Sequence, residues 1–321
     1  FQIGAYSNET AKVSIGATNS NTIGHTRFET VCNANTSLMS TVGEVQIKLS
    51  GIDGYPNGYE FQKISKSVLI AEGYKAIAEM MNGVSDKTGV KVKVNNTQVM
   101  SSAVQSGTLQ DLEINGVKIG NITLKANDSD GVLVGAINAK KDETGVEASI
   151  QNGHLVLAAK DGRSIKITTK LSTTASVIGV SGASQGNSTE GSTYLGQMTF
   201  IRQDARDIKV GIQGLSAVVT NFSAAMISNA SIASQAYNQA SVNLKYMNSG
   251  TISSTLAKAM GFFDGGASQA NIDFGDRNGG VNTYGGAQAM IDVAEAARKT
   301  LDKLRADLGS VQNQLVATIN N

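Results

Sequence analysis

Few residues in this chain have the types and spacings that chemistry requires. The two histidines, His25 and His154, are far apart, and Cys32 is the only cysteine. A zinc site needs three or four Cys, His or acidic ligands at short spacings, and no such set can be assembled. No Gly-x-Ser-x-Gly elbow presents a serine nucleophile, and neither a Walker loop nor a dinucleotide fingerprint is present. Asn127-Asp128-Ser129-Asp130-Gly131 looks at first like a calcium loop. If Gly131 is its turn glycine, however, the first ligand position falls on Ala126 and the closing glutamate position on Ile137. The acids there fit the start of a helix better, where they face its positive end. Asp273-Phe274-Gly275 lacks every other element of a kinase. The sequon Asn121-Ile122-Thr123 is expected by chance in so Asn- and Thr-rich a chain. These residues imply no catalytic set, no cofactor and no metal.

The composition agrees. Charged residues are 17% of the chain, against roughly 25% in ordinary domains. There are 35 glycines, one proline, no tryptophan and 5% aromatics. Such a chain suits short strands and turns under a weakly charged surface. A net charge of +1, with no long basic run, gives no case for nucleic acid. No apolar stretch reaches the length of a membrane span. One cysteine excludes an internal disulfide framework. At 321 residues there is room for two or three cores.

The elements that would position a site come next. Phe1–Gly4 and Ala11–Gly16 read as short strands, and the Ser/Thr/Asn-rich run Thr30–Thr41 as a linker. Val45-Gln46-Ile47-Lys48-Leu49 alternates like a half-buried strand. Tyr59–Ile70 looks strand-like, and Glu72–Ser85 helical with Ile77, Met80, Met81 and Val84 on one face. Two internal repeats emerge. Asn82, Asp86, Thr88, Gly89 and Val90 recur as Asn138, Asp142, Thr144, Gly145 and Val146. The pattern predicts a short helix closed by a left-handed glycine, then a strand. Asp161, Arg163, Ile165 and Lys166 recur as Asp204, Arg206, Ile208 and Lys209, each read as the turn of a β-hairpin. The repeated unit is a small helix on hairpins, an α+β module. Ala224–Ala240 is open between helix and polar loop, and Gly261–Gly286 is expected to be irregular.

From Ala287 the character changes to good helix formers. Met290, Ala294, Ala297, Leu301, Leu304, Leu308, Val311 and Leu315 are spaced by fours and threes, the seam of a coiled coil. The helix would be roughly 50 Å long, more than an ordinary globular helix without a partner. Leu301, Leu304, Leu308, Val311 and Leu315 are therefore the candidate packing residues, and Leu308→Asp is expected to cost several kcal/mol. The chain starts on Phe1 and stops at Asn321 with the helical pattern still running, so a piece of a longer protein is expected.

The residues now in view resemble bacterial flagellins. Phe1-Gln2-Ile3-Gly4-Ala5 is similar to a flagellin segment that follows the first long helices. Leu301-Asp302-Lys303-Leu304-Arg305-Ala306-Asp307-Leu308-Gly309-Ser310-Val311-Gln312-Asn313-Gln314 resembles the flagellin C-terminal rod helix. Glu113-Ile114-Asn115-Gly116-Val117, with Ala136-Ile137-Asn138 and Thr144-Gly145-Val146, is similar to the repeated flagellin insert motif, which the filament cap protein shares. Tyr6–Arg27 is most similar to flagellins of epsilon-class proteobacteria.

The resemblance implies an α+β protein: a partial helical rod domain, made of short N-terminal strands plus the long C-terminal helix, carrying β-rich outer domains with small helices packed on hairpins. Residues 1–40 and 284–321 would be the rod remainder, 41–105 and 190–283 a first outer domain, and 106–189 a second, with approximate boundaries. It implies a non-enzymatic filament subunit, exported by the flagellar type III apparatus to the extracellular flagellum. Its partners would be other flagellin subunits, export chaperones and the cap protein, with no nucleic acid and no membrane. A piece lacking both terminal coiled-coil segments is expected to be monomeric. Ser181–Ser192 and Ser249–Ser254 are the candidate stretches for O-linked sugars. The rival readings are a hook–filament junction or cap protein, and a β-rich adhesin or carbohydrate-binding module; the last would need an aromatic platform that the scattered tyrosines do not make.

Overall fold

The structure is a computed structural model and describes residues 16–33, 44–170, 176–180, 192–204, 206–214, 237–248, 250–262 and 280–320. The expected strands at 1–4 and 11–15, the Asp273-Phe274-Gly275 triplet, residues 181–191 of the first sugar-candidate stretch and residue 249 of the second lie outside them.

Along the chain, β1 (Thr26–Asn33) is followed by β2 (Glu44–Ser50), β3 (Tyr59–Glu60) and β4 (Ile64–Ser65). In β2 the alternation holds, with Val45, Ile47 and Leu49 buried. The run Tyr59–Ile70, strand-like in sequence, turns helical at Lys66, where α1 (Lys66–Glu72) starts. Gly73, at φ 61°, breaks the path before α2 (Tyr74–Asn82). The break is forced by close approach: a Cβ on Gly73 would sit 2.6 Å from the Ser164 backbone nitrogen. Helix α2 buries Tyr74, Ile77, Ala78 and Met81, one face at helical spacing. After it come α3 (Ser85–Thr88), the long strand β5 (Val90–Ala103), β6 (Gly107–Ile114) and β7 (Val117–Leu124).

The acidic stretch at 127–131 does start a helix. Asp128 is buried, and its carboxylate accepts from Leu133 N at 2.9 Å and Val134 N at 3.0 Å. It thereby satisfies free amides at the head of α4 (Val132–Asn138). The chain continues through α5 (Lys141–Thr144), β8 (Glu147–Gln151), β9 (His154–Ala159), β10 (Ile165–Thr168), β11 (Ser192–Tyr194), β12 (Gly196–Arg202) and β13 (Lys209–Gly214). β14 (Tyr237–Val242) occupies the end of the stretch left open between helix and loop. Helices α6 (Leu244–Met247), α7 (Ser254–Ala259) and α8 (Tyr284–Asn320) complete the chain.

The strands form a 6-stranded sheet in the order β14-β1-β12-β5-β9-β8, a 4-stranded sheet β11-β10-β6-β7, and a further sheet in which β2 is flanked by β13, β3 and β4. The pairings among the described strands are antiparallel. One expectation is corrected here. The segments around Asp161 and Asp204 are not hairpins: β9 pairs with β5 and β8 whereas β10 pairs with β6 and β11, and β12 and β13 likewise part into different sheets. The local sequence, strand then polar turn then strand, is the same for a hairpin and for a corner between sheets. Partner strands distant in sequence decide between them.

Three cores result. The first gathers β2, α1, α2, the start of β5 and β12 around Ile47, Leu69, Ile77 and Phe200. The second gathers β6 to β10 and α4 around Leu112, Leu133, Leu157 and Ile167. The third lies where Phe28, Val242, Met247 and Ala257 meet Ala289 and Val293 of α8. The protein is thus of mixed α+β class.

Candidate functional site

The two histidines have separate surroundings. His25 is exposed, and His154 is half-buried with its Nδ1 2.8 Å from the Met100 carbonyl. Among the described residues, no group of His, Cys, Asp or Glu could hold a metal. No helix among them is long and apolar enough to cross a membrane. The side chain of Cys32 is outside the description.

What the fold positions with care is the long helix. The first half of α8 packs through small residues: Ala289, Val293, Ala296 and Ala297 are buried. A Cβ added to Gly24 would be 3.0 Å from the Val293 carbonyl, so the segment before β1 lies directly on the helix. The buried face therefore runs 289–293–296–297 rather than along the whole 290–294–297 seam, for Ala294 is exposed. The sequence pattern of apolar residues could not separate two adjacent alanine rows, since each is equally apolar.

Polar staples on the flank of this face fix the helix to β5 and to Gln203, just past the end of β12. Lys93 Nζ reaches Asp292 Oδ2 at 2.5 Å, Gln288 O at 3.0 Å and Gln288 Oε1 at 3.1 Å. Burial pushes the Asp292 carboxyl above its usual range, against the pull of Lys93. One turn on, Glu295 accepts from Lys91 at 2.9 Å and from Gln203 at 2.8 Å. Those two hydrogen bonds hold the Glu295 carboxyl down to about 2. Lys91 and Lys93 stand on the face of β5 opposite the buried Val90 and Val92, so the run Val-Lys-Val-Lys-Val serves core and helix at once. Sequence reasoning passed over these staples. The alternating lysines were the available signal, but their partners lie some two hundred positions away.

The five candidate packing residues fall beyond the stapled half. Leu304 lies over Gly16, whose added Cβ would sit 2.8 Å from Leu304 Cδ2. Leu301 and Leu308 are 43% and 42% exposed. Val311 and Leu315 are half-buried, and Val316 is exposed. The structure thus aligns these five along one helix, leaving Leu301 and Leu308 exposed and Leu304, Val311 and Leu315 half-buried. Leu308→Asp accordingly loses the large cost expected of a buried charge, because Leu308 is not buried within the chain.

Fold and helix together define a class: a modular α+β protein with one long helix, buried in its first half and carrying a partly exposed apolar row further on. Comparison with known proteins identifies its family. The model of the flagellin hook IN motif matches residues 111–161. Flagellin A of Helicobacter pylori is 38% identical over 325 residues, covering 100% of this chain and 60% of the relative. Flagellin B of the same species is 38% identical over 328 residues, covering 100% and 61%. Flagellin A of Helicobacter mustelae is 37% identical over 332 residues, covering 100% and 64%. The chain belongs to the flagellin family, and it spans about three-fifths of the length of these curated relatives.

Proposed function

We propose that this chain is part of a structural subunit of the bacterial flagellar filament, working by self-assembly in the extracellular appendage and not by catalysis. Similarity to flagellins along its whole length carries this reading. The incompletely covered row Leu301–Leu304–Leu308–Val311–Leu315 supports it physically. An apolar row on an otherwise polar helix needs a partner surface to leave water, at about 25 cal/mol per Å² buried. In the proposed rod domain that row packs first on helices of the same subunit and then beside neighbouring subunits. Residues 1–40 and 284–321 belong to the rod, 41–105 and 190–283 to a first outer domain, and 106–189 to a second. The separation of the first and second cores supports that outer division. Export chaperones and the cap protein are the further partners proposed, with export through the flagellar apparatus.

The test is replacement of the aligned segment of Helicobacter pylori flagellin A by this chain, in a strain making no other flagellin. Electron microscopy should show filaments, and Leu304→Asp with Leu308→Asp should abolish them. A chimera that is made, folded and exported yet leaves cells bare would overturn the reading.

A further inference from the structure

The two copies of the helix–glycine–strand repeat are wired alike. Asn82 donates from Nδ2 to Val92 O and accepts at Oδ1 from Val92 N, both at 2.8 Å. Asn138 does the same to Ala148, at 2.9 and 2.7 Å. Gly89 and Gly145 close the preceding turns in the left-handed conformation, at φ 69° and 70°. The likeness extends through the returning strands. Lys91 faces Ile201 just as Glu147 faces Ala158. Beyond each returning strand comes the Asp-x-Arg corner: Arg163 Nε donates to Asp161 Oδ2 at 2.8 Å, and Arg206 Nε to Asp204 Oδ2 at 2.6 Å. After each corner a strand returns to the module's first strand, β10 to β6 and β13 to β2.

The copies differ before their common helix, where only the first has α1, and in the connection that follows the returning strand. In the second copy β8 turns into β9 through Asn152-Gly153, both at positive φ, enclosed by the pair Gln151↔His154. Asn-Gly with two positive φ values is the two-residue turn that suits a twisted hairpin. In the first copy the corresponding pair is Asn95↔Gln197. The residue after Asn95 is Asn96, and the residue before Gln197 is Gly196. Gly196 has φ 81°, the same value as Gly153. Between Asn96 and Gly196 lies the whole second copy, including residues 111–161 matched by the hook IN motif.

We infer that residues 44–214 are one module used twice, the second copy lodged between the asparagine and the glycine of the first copy's Asn-Gly turn. The first copy is therefore a complete fold interrupted at a permissive seam, and everything distal to that seam is removable or replaceable. This holds whether or not the chain assembles into filaments.

The deciding variant of the full chain lacks residues 97–195, joining Asn96 to Gly196 and restoring the two-residue turn. It should unfold in urea in one cooperative transition and keep its β-sheet circular dichroism. A variant lacking residues 96–195, one residue more, is the control. It must either close a one-residue loop or slip register, which turns Val92 and Phe200 out of the core. Its midpoint should fall well below that of the first variant. On the intact chain, Asn138→Ala should speed hydrogen exchange within 107–168 several-fold and leave amides of 74–95 unchanged. Failure of the first deletion to fold, equal midpoints for the two deletions, or equal acceleration in both regions would each overturn the nested duplication.

Discussion

The attachment of the long helix should fail in a pH-dependent way when Lys93 is replaced by Met, which keeps the aliphatic stem but removes the charge. Asp292 has a side chain only 5% exposed, and Lys93 is the cation on it, 36% exposed. Removing one partner of a fully buried pair costs about 3–5 kcal/mol. With Lys93 partly in water, about 2 kcal/mol is the fitting figure for pH 7. An independent ceiling comes from protonation. A lone buried carboxylate can always take up a proton, and from an ordinary value of 3.8 that costs at most about 4 kcal/mol at pH 7 and about 1.6 kcal/mol at pH 5. The sign follows from linkage. Asp292 has its folded pKa raised, so the protonated form is favoured in the folded state, and the penalty of the charge appears as pH rises above the unfolded value. Lys93→Met should raise that pKa further and widen the window. Hydrogen exchange of helix amides 293–300 is the assay, because the three cores need not unfold together. Exchange should quicken about thirty-fold at pH 7, the equivalent of about 2 kcal/mol, and by less at pH 5. Adding Asp292→Leu should recover most of the loss, since no charge then remains buried. Unchanged exchange at pH 7, or an equal loss at both pH values, would refute the staple as described.

Two further outcomes can be checked on the same chain. Glu295→Gln should cost about 1 kcal/mol at pH 7, after allowance for the solvent around its side chain. Glu295 has its folded pKa lowered to about 2, so its stabilisation is present above about 4.5 and is lost as pH falls through 2. Urea midpoints of wild type and variant should therefore converge across that range, and a gap that persists at pH 2 would contradict the assignment. Leu308→Asp should change the stability of this chain by less than about 0.5 kcal/mol, because Leu308 is 42% exposed. A loss of several kcal/mol in thermal or urea unfolding would mean that the row is covered after all.

What could be read from sequence was local, and what could not was pairing at a distance. The glycine-closed helices of both repeats were legible because their residues hydrogen-bond to near neighbours, Asn82 to Val92 and Asn138 to Ala148 among them. The end of α8 was legible for the same reason, since helical spacing is a property of near neighbours. The Asp-x-Arg corners were legible as turns but not as corners, because β10 and β13 take partners far away in the chain. The candidate packing row stands between these cases. Its alignment follows from spacing alone, but its exposure depends on what lies opposite, and Gly16 lies against Leu304.

The nested arrangement explains why these difficulties occur together. Placing a second module inside the first module's turn separates Asn95 from its partner Gln197, so a contact that would be local in an uninterrupted hairpin becomes distant. The second copy retains the local version in Gln151↔His154. One copy can therefore serve as the key to the other, and the register of β5 with β12 is predictable from the register of β8 with β9. The same reasoning assigns the cost of the interruption. Asn96 now has its side-chain amide donating to Arg163 O and Tyr194 O, both at 2.8 Å, within the extended strand β5. In the joined variant those carbonyls are gone and Asn96 becomes a turn residue, the role that Asn152 already plays at φ 51°.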